Sequence, residues 1–291
     1  MKNKKITTIL IFLIAIFAFI ATLIGITSTG GSGAYEYKSI RGQTVTIYGK
    51  GLYQHMSADV AIQGIAQDYV TLFIALPFLL FALYRFRIQS LKGKYLLAGV
   101  LCYLFLTYLF YMNMAMYNSM FLVYVALTGL SFFALVLTLL TFETEQLPKI
   151  FKAKTPVNFI GGFLIFNAVI IALLWLGVII PPLLDKTIVP IAVEHYTTLN
   201  VQAFDLSLFL PISFVAGLLL IRKSKFGYLI APVYLVFLSL LMIALIAKLI
   251  AMGMQGVNII PAIFFIPSIA LIAIICSIIL LRNINVALHY K

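Results

Sequence analysis

The sequence predicts an all-α integral membrane protein, with eight transmembrane helices in two parallel four-helix pseudo-repeats and a small extracytoplasmic loop region. Three observations carry this. Of 291 residues, 64% are hydrophobic and only 10% charged, and the mean hydropathy is +1.14. A soluble domain is about half apolar and about a quarter charged. Eight continuous apolar runs are each long enough to cross a hydrocarbon core of about 30 Å, which takes roughly 17–25 helical residues. The basic residues fall on alternate loops. Barrel strands are excluded, because they alternate over about ten residues and these runs do not.

The first span, 6–26, follows the basic tail Lys2, Lys4 and Lys5. A signal peptide would read similarly at its start, but its apolar core is about 7–15 residues and ends at a small-residue site. This run is longer and is read as a retained helix. Outer loop one (27–65) opens with a Gly/Ser-rich stretch and continues as "QTVTIYGKGLY". Val45, Ile47 and Leu52 alternate with polar neighbours around Gly49-Lys50-Gly51, so a β-hairpin is expected around 43–53. It needs support, because an isolated hairpin is marginal in water.

Span two, 66–86, carries Asp68 and Pro77 and ends in Arg85, Arg87, Lys92 and Lys94. Spans three (95–112) and four (119–141) follow. A polar, Pro-bearing linker (142–157) separates the first repeat (1–141) from the second (158–291). The second repeat holds span five (158–180), outer loop three (181–203) with its Pro pair, and span six (204–221) with Asp205 and Pro211. Spans seven (228–250), with Lys248, and eight (260–281), with Pro261 and Pro267, complete it.

Net charge is +12, which invites a nucleic-acid reading. Its distribution argues otherwise. With eight spans, Lys149, Lys152, Lys154, Arg222, Lys223, Lys225, Arg282 and Lys291 join the bases named above on one side, opposed there only by Glu143 and Glu145. The other side is nearly neutral. This is the positive-inside pattern, and it places both termini in the cytoplasm of a bacterial inner membrane. The basic face also favours anionic lipid headgroups. Cys102 and Cys276 lie inside spans, so no disulfide framework is expected.

The halves match in order. Asp68 and Asp205 are 137 residues apart, as are Arg85 and Arg222; Asn118 and Asn258 are 140 apart. Four spans per half keep the two units in one orientation, related by an axis along the membrane normal. The duplicated aspartates admit two accounts. A carboxylate near a helix N-terminus is stabilised by about 0.3–1 kcal/mol. However, Ser57 for span two, and Thr198 or Asn200 for span six, are better placed as caps. Asp68 and Asp205 then sit inside their helices, where a carboxylate must face protein or a wet cavity. Lys248 is at a similar depth, and an Asp205–Lys248 ion pair is expected unless Lys248 snorkels to the headgroups. These three residues are the candidate ligand site. Pro77 and Pro211 read as kinks, or as the broken helices of a transporter.

No catalytic or cofactor motif appears. His55 and His195 lie in outer loops one and three and His289 in the inner tail, so the first two are weak metal candidates and ordinary loop histidines first. The sequence has no P-loop, no Gly-x-Ser-x-Gly elbow and no CxxC pair. Trp175, Tyr69, Tyr111 and Tyr117 read as an outer aromatic belt, with Tyr84, Tyr95 and Tyr228 as the inner one. Tyr103, Tyr108, Tyr111 and Tyr124, with Thr107 and Asn167, supply mild polar groups between helices.

The two-by-four plan resembles haem A synthase in outline. That family binds haem through helix histidines, which are missing here, so only the architecture carries over and no cofactor is expected. The stretch from Val201 to Val236, with its outer Asp-Leu, Pro-bearing span, basic turn and Gly-Tyr, resembles a group of uncharacterised bacterial multi-spanning membrane proteins. The likeness implies topology and no activity. The expected function is therefore non-enzymatic binding in an outward-facing crevice between the halves, with a small molecule or lipid headgroup as partner. A small-molecule or lipid transporter is the alternative, and an outer-face membrane enzyme the second.

Overall fold

The computed structural model describes residues 2–285, so the expectations placed on His289 and Lys291 lie outside the described residues. Among these, eight helices are long and apolar enough to cross a membrane. They are α1 (Lys2–Thr27), α2 (Ala58–Arg87), α3 (Leu91–Met114), α4 (Phe121–Leu139), α5 (Val157–Leu184), α6 (Asn200–Ile221), α7 (Lys225–Met254) and α8 (Ala262–Arg282). In hydrocarbon every backbone N–H and C=O needs an internal partner, and a continuous helix supplies one to all but its first and last turns.

The central pair is α3 and α7, the most buried helices; α5 is the least. Helix α3 packs on α2, α4 and α7, and α7 packs on α2, α3, α6 and α8. In the first half α1 lies against both α2 and α4, closing a four-helix bundle, whereas α5 leans chiefly on α6. The α5–α6 seam is a small-residue contact: a Cβ on Gly161 would stand 2.6 Å from the Gly217 carbonyl, and one on Gly217 would stand 2.5 Å from that of Gly161. Lipid offers no hydrophobic drive for helix association, so close backbone approach is what holds such a seam. Ser213 Oγ also donates across it to the Leu164 carbonyl at 3.0 Å.

Helices α2 and α6 each contain a π turn, Thr71–Ala75 and Asp205–Phe209. In both, the N–H that follows bonds five residues back, Leu76 to Thr71 and Leu210 to Asp205. A proline comes next, Pro77 or Pro211. Proline lacks the N–H and crowds the carbonyl four residues earlier, and one wide turn absorbs both defects without ending the helix.

These features are 134 residues apart, and the same spacing continues into the following turn. Gln89 and Lys223 both have left-handed backbone, φ 64° and 52°. Ser90 and Ser224 cap the next helices. Gly93 and Gly227 lie against the backbone of Arg85 and Leu219. In this register Asp205 falls opposite Thr71 rather than Asp68. The 137-residue pairing of the aspartates therefore does not follow the backbone: Asp68 precedes its π turn and Asp205 opens its own.

Helix α2 begins at Ala58, directly after Ser57 as expected, although the Ser57 side chain makes no capping hydrogen bond. Helix α6 begins at Asn200 with Leu199 at its cap, rather than Thr198 or Asn200. Two further boundaries differ from expectation. Pro181 and Pro182 lie in the last turn of α5 rather than opening the loop. The hairpin pairs β1 (Tyr35–Lys38) with β2 (Thr44–Ile47), antiparallel, with Tyr35 opposite Ile47 and Lys38 opposite Thr44. Its turn is therefore 39–43, and Gly51–Tyr53 is a single 3-10 turn.

The hairpin rests on outer loop three. Arg41 donates to the Tyr196 and Thr197 carbonyls at 2.9 and 3.3 Å, and Gln43 to that of Ile191 at 3.2 Å. The Ser57 N–H donates to Tyr196 Oη at 3.2 Å. Burial pushes the Tyr196 hydroxyl up to about 12, against the opposing pull of Ser57. Loops from the two halves thus form one roof.

Candidate functional site

Beneath this roof Asp68 is 1% exposed. Its position on α2 aims it between α1 and α3. Tyr53, from the 3-10 turn of outer loop one, donates to Asp68 Oδ2 at 2.6 Å. Tyr111, on α3, lies 3.1 Å from Oδ1 and 2.7 Å from the Gly64 carbonyl, so its single proton is shared between two acceptors. On the α1 side only a glycine fits: a Cβ at Gly25 would stand 2.0 Å from Asp68 Oδ2 and 3.0 Å from Tyr53 Oη.

Four tyrosine rings surround the carboxylate. Tyr111 meets Tyr53, Tyr108 and Tyr124 edge-on, with centroids 6.1, 5.9 and 5.3 Å away. The adjacent Gln67 donates to Tyr103 Oη at 2.8 Å and Thr107 Oγ1 at 3.0 Å, and Thr71 joins Tyr103 at 3.1 Å. Three buried atoms of this interior make no hydrogen bond: Gln67 Oε1, Tyr108 Oη and Tyr124 Oη. Buried polar atoms are ordinarily paired with protein or water. The cluster therefore has unused capacity for a polar guest.

Asp205 is held differently. Its Oδ2 accepts from Trp175 Nε1, on α5, at 2.8 Å. Lys248, on α7, lies within electrostatic reach of both Asp205 and Asp68, with no hydrogen bond or ion pair to either among the described residues. The expected Asp205–Lys248 contact ion pair is not formed: among the described residues the one contact ion pair is Lys225–Glu145, on the opposite face. The indole has taken the place of the ammonium.

The two outer-loop histidines also meet, by a different geometry from a metal site. His195 Nε2 lies 3.0 Å from the His55 carbonyl, which requires the proton on Nε2. No group of three or more His, Cys, Asp or Glu residues able to hold a metal ion occurs among the described residues. The expected outward-facing crevice is closed here, since the roof and the tyrosines cover Asp68.

Sequence reasoning missed Tyr53, Gln67, Tyr111 and Trp175 as members of the site. By depth Tyr111 and Trp175 read as an aromatic belt, and Tyr111 also reads as a polar group bridging helices, without its partner being legible. Gln67, next to Asp68, was the available signal: two adjacent polar side chains within one apolar helix point to opposite packed neighbours, not to lipid.

The eight helices and their buried polar interior define a multi-pass α-helical membrane protein. No protein-family model matches the chain, and neither a curated protein nor a solved structure matches it.

Proposed function

We propose that this chain is a non-enzymatic binding protein of a bacterial cytoplasmic membrane, built from two parallel four-helix repeats with both termini cytoplasmic. The site between the halves, at Asp68, Asp205 and Lys248, takes a small molecule or lipid headgroup bearing a cationic group. The repeat reading is supported by the paired π turns and capped turns at a constant spacing of 134 residues. The orientation is supported by the one-sided distribution of Lys and Arg.

The observation that carries the binding proposal is the charge and hydrogen-bond balance under the roof. Two carboxylates share the field of one ammonium, with three unpartnered polar atoms beside Asp68. Intramembrane charge is costly and is retained where it meets something. An amine would complete the balance. Entry requires the loop-one and loop-three contacts at Arg41 and Tyr196 to part.

A thermal-shift screen of small amines and inorganic cations, in mild detergent, tests this. A ligand at about 100 times its Kd stabilises the folded state by about 2.7 kcal/mol. An amine that raises the Tm of the wild type and leaves Asp68→Asn/Asp205→Asn unmoved is the expected result. Equal shifts in both proteins would sink the proposal.

Transport is the second reading, favoured by the paired π turns. Each follows or contains the residues nearest the site and precedes a proline, a combination suited to bending. On this reading ligand would change the labelling rate of Cys102, which is half-buried in α3. An unchanged rate with bound ligand would leave binding alone.

A further inference from the structure

The linker, the start of α5 and the α6–α7 turn border an open cavity of about 630 Å³ on the basic membrane face, remote from the roofed site. Among the described residues its wall carries Lys152 and Lys223, from different segments, and no carboxylate. Both lysines are exposed, and neither ammonium makes an ion pair or hydrogen bond among the described residues; the nearby Glu145 is taken by Lys225. Lys223 is held toward the cavity side of its turn by left-handed backbone, φ 52°.

The third wall is the N-terminus of α5, a helix of 28 residues. Its cap is Pro156, which has no side-chain acceptor to offer. The Val157 N–H bonds the Thr155 carbonyl and that of Ile160 bonds Pro156. Among the described residues the N–H groups of Asn158 and Phe159, which line the cavity, have no protein acceptor. Unsatisfied N–H groups at a helix start are donors for an anion.

An independent observation comes from the cavity floor. Tyr228 is 6% exposed and its ring lies 4.7 Å from that of Phe151, centroid to centroid. Its carbonyl accepts from Tyr95 at 2.9 Å, but its hydroxyl has no partner among the described residues, and Tyr228 lines the cavity. A hydroxyl open to such a space is free to donate to an acceptor that enters it. At the rim Phe159, in the first turn of α5, is 60% exposed.

We infer that this cavity binds the phosphate of an anionic phospholipid headgroup from the adjacent leaflet. Lys152 and Lys223 supply the charge, the free N–H groups of α5 and the Tyr228 hydroxyl supply hydrogen bonds, and Phe159 lies alongside the acyl chains. The leaflet is the source because the cavity sits at the first turn of a membrane helix, and a phosphate there arrives attached to hydrocarbon. A soluble phosphate shares the same chemistry, and the experiment separates the two.

Delipidated full-length protein is titrated with phosphatidylglycerol or phosphatidylcholine and followed by native mass spectrometry. One saturable phosphatidylglycerol adduct, held more tightly than phosphatidylcholine, is expected. In Lys152→Gln/Lys223→Gln it weakens by about 10- to 30-fold, from the loss of two interfacial lysines. Arg87→Gln/Lys92→Gln, which removes the same charge elsewhere on that face, leaves it unchanged. Tyr228→Phe, which keeps the ring packing, weakens it by about 3- to 10-fold. Equal retention of the two lipids by the wild type, or equal weakening in both double variants, overturns the inference. Displacement of the lipid by millimolar inorganic phosphate overturns its lipid source and assigns the cavity to a soluble anion.

Discussion

Adding one methyl group to α1 should cripple the Asp68 cluster. In Gly25→Ala the new Cβ would stand 2.0 Å from Asp68 Oδ2 and 3.0 Å from Tyr53 Oη, well inside van der Waals contact. The carboxylate cannot retreat, because Tyr111 holds its other oxygen. Either α1 shifts or the Tyr53–Asp68 bond breaks. Overpacking a tight interior costs about 1–3 kcal/mol, and losing a hydrogen bond to a charged group about 1.5–3 kcal/mol. Alanine's better helix propensity returns roughly 1 kcal/mol. Where both occur, the net loss is about 1.5–5 kcal/mol, or a Tm lower by roughly 3–20 °C. Thermal unfolding in detergent, followed by far-ultraviolet circular dichroism, reads this. Gly129→Ala and Gly162→Ala are the controls, since a Cβ at either meets nothing within 4 Å. Relief of the loss in Asp68→Ala/Gly25→Ala would show that the carboxylate is what the methyl strikes. A Gly25→Ala protein as stable as the controls would refute the packing described for Asp68.

Removing the phenol hydroxyl in Tyr53→Phe should lower stability by about 1.5–3 kcal/mol, because a buried carboxylate oxygen loses its only short donor, and chemical denaturation measures it. Tyr108→Phe, whose hydroxyl has no partner, should be neutral or stabilising by the same assay. The single tryptophan makes Asp205 observable: Asp205→Leu should shift Trp175 emission to the blue, since the indole N–H loses its acceptor, and an unchanged spectrum would remove that bond. Gly93→Ala and Gly227→Ala should destabilise by similar amounts, each about 1–3 kcal/mol, since each Cβ would come within 2.5 Å of backbone 134 residues apart. Unequal effects would count against equivalent turns in the two halves.

How far the sequence reaches can be seen element by element. The eight helices are legible because length and apolarity are one-dimensional properties, and the lipid-crossing requirement acts on them directly. The π turns are not. Pro77 and Pro211 mark a defect in each helix, but nothing in composition distinguishes a kink from one wide turn. The hairpin was half legible: Val45 and Ile47 alternate with exposed neighbours in β2, whereas all four residues of β1 are exposed and carry no period. Asp68, Asp205 and Lys248 were recognisable as charges out of place. Their partners were not, because Tyr53 and Trp175 reach them across 15 and 30 residues of chain. Aromatic side chains near an interface read as anchors until the fold shows what their polar ends touch. The aspartates look equivalent in sequence, yet the backbone repeats three residues out of that register, so each carboxylate has its own donors.

The most direct test of the binding site is native mass spectrometry of protein taken from its membrane into mild detergent, wild type beside Asp68→Asn/Asp205→Asn. A discrete small-molecule or headgroup adduct on the wild type, lost from the variant, is the expected result, and its mass identifies the ligand. The same spectra for both proteins, with the variant merely less stable, would contradict it and leave the carboxylates as helix-packing groups.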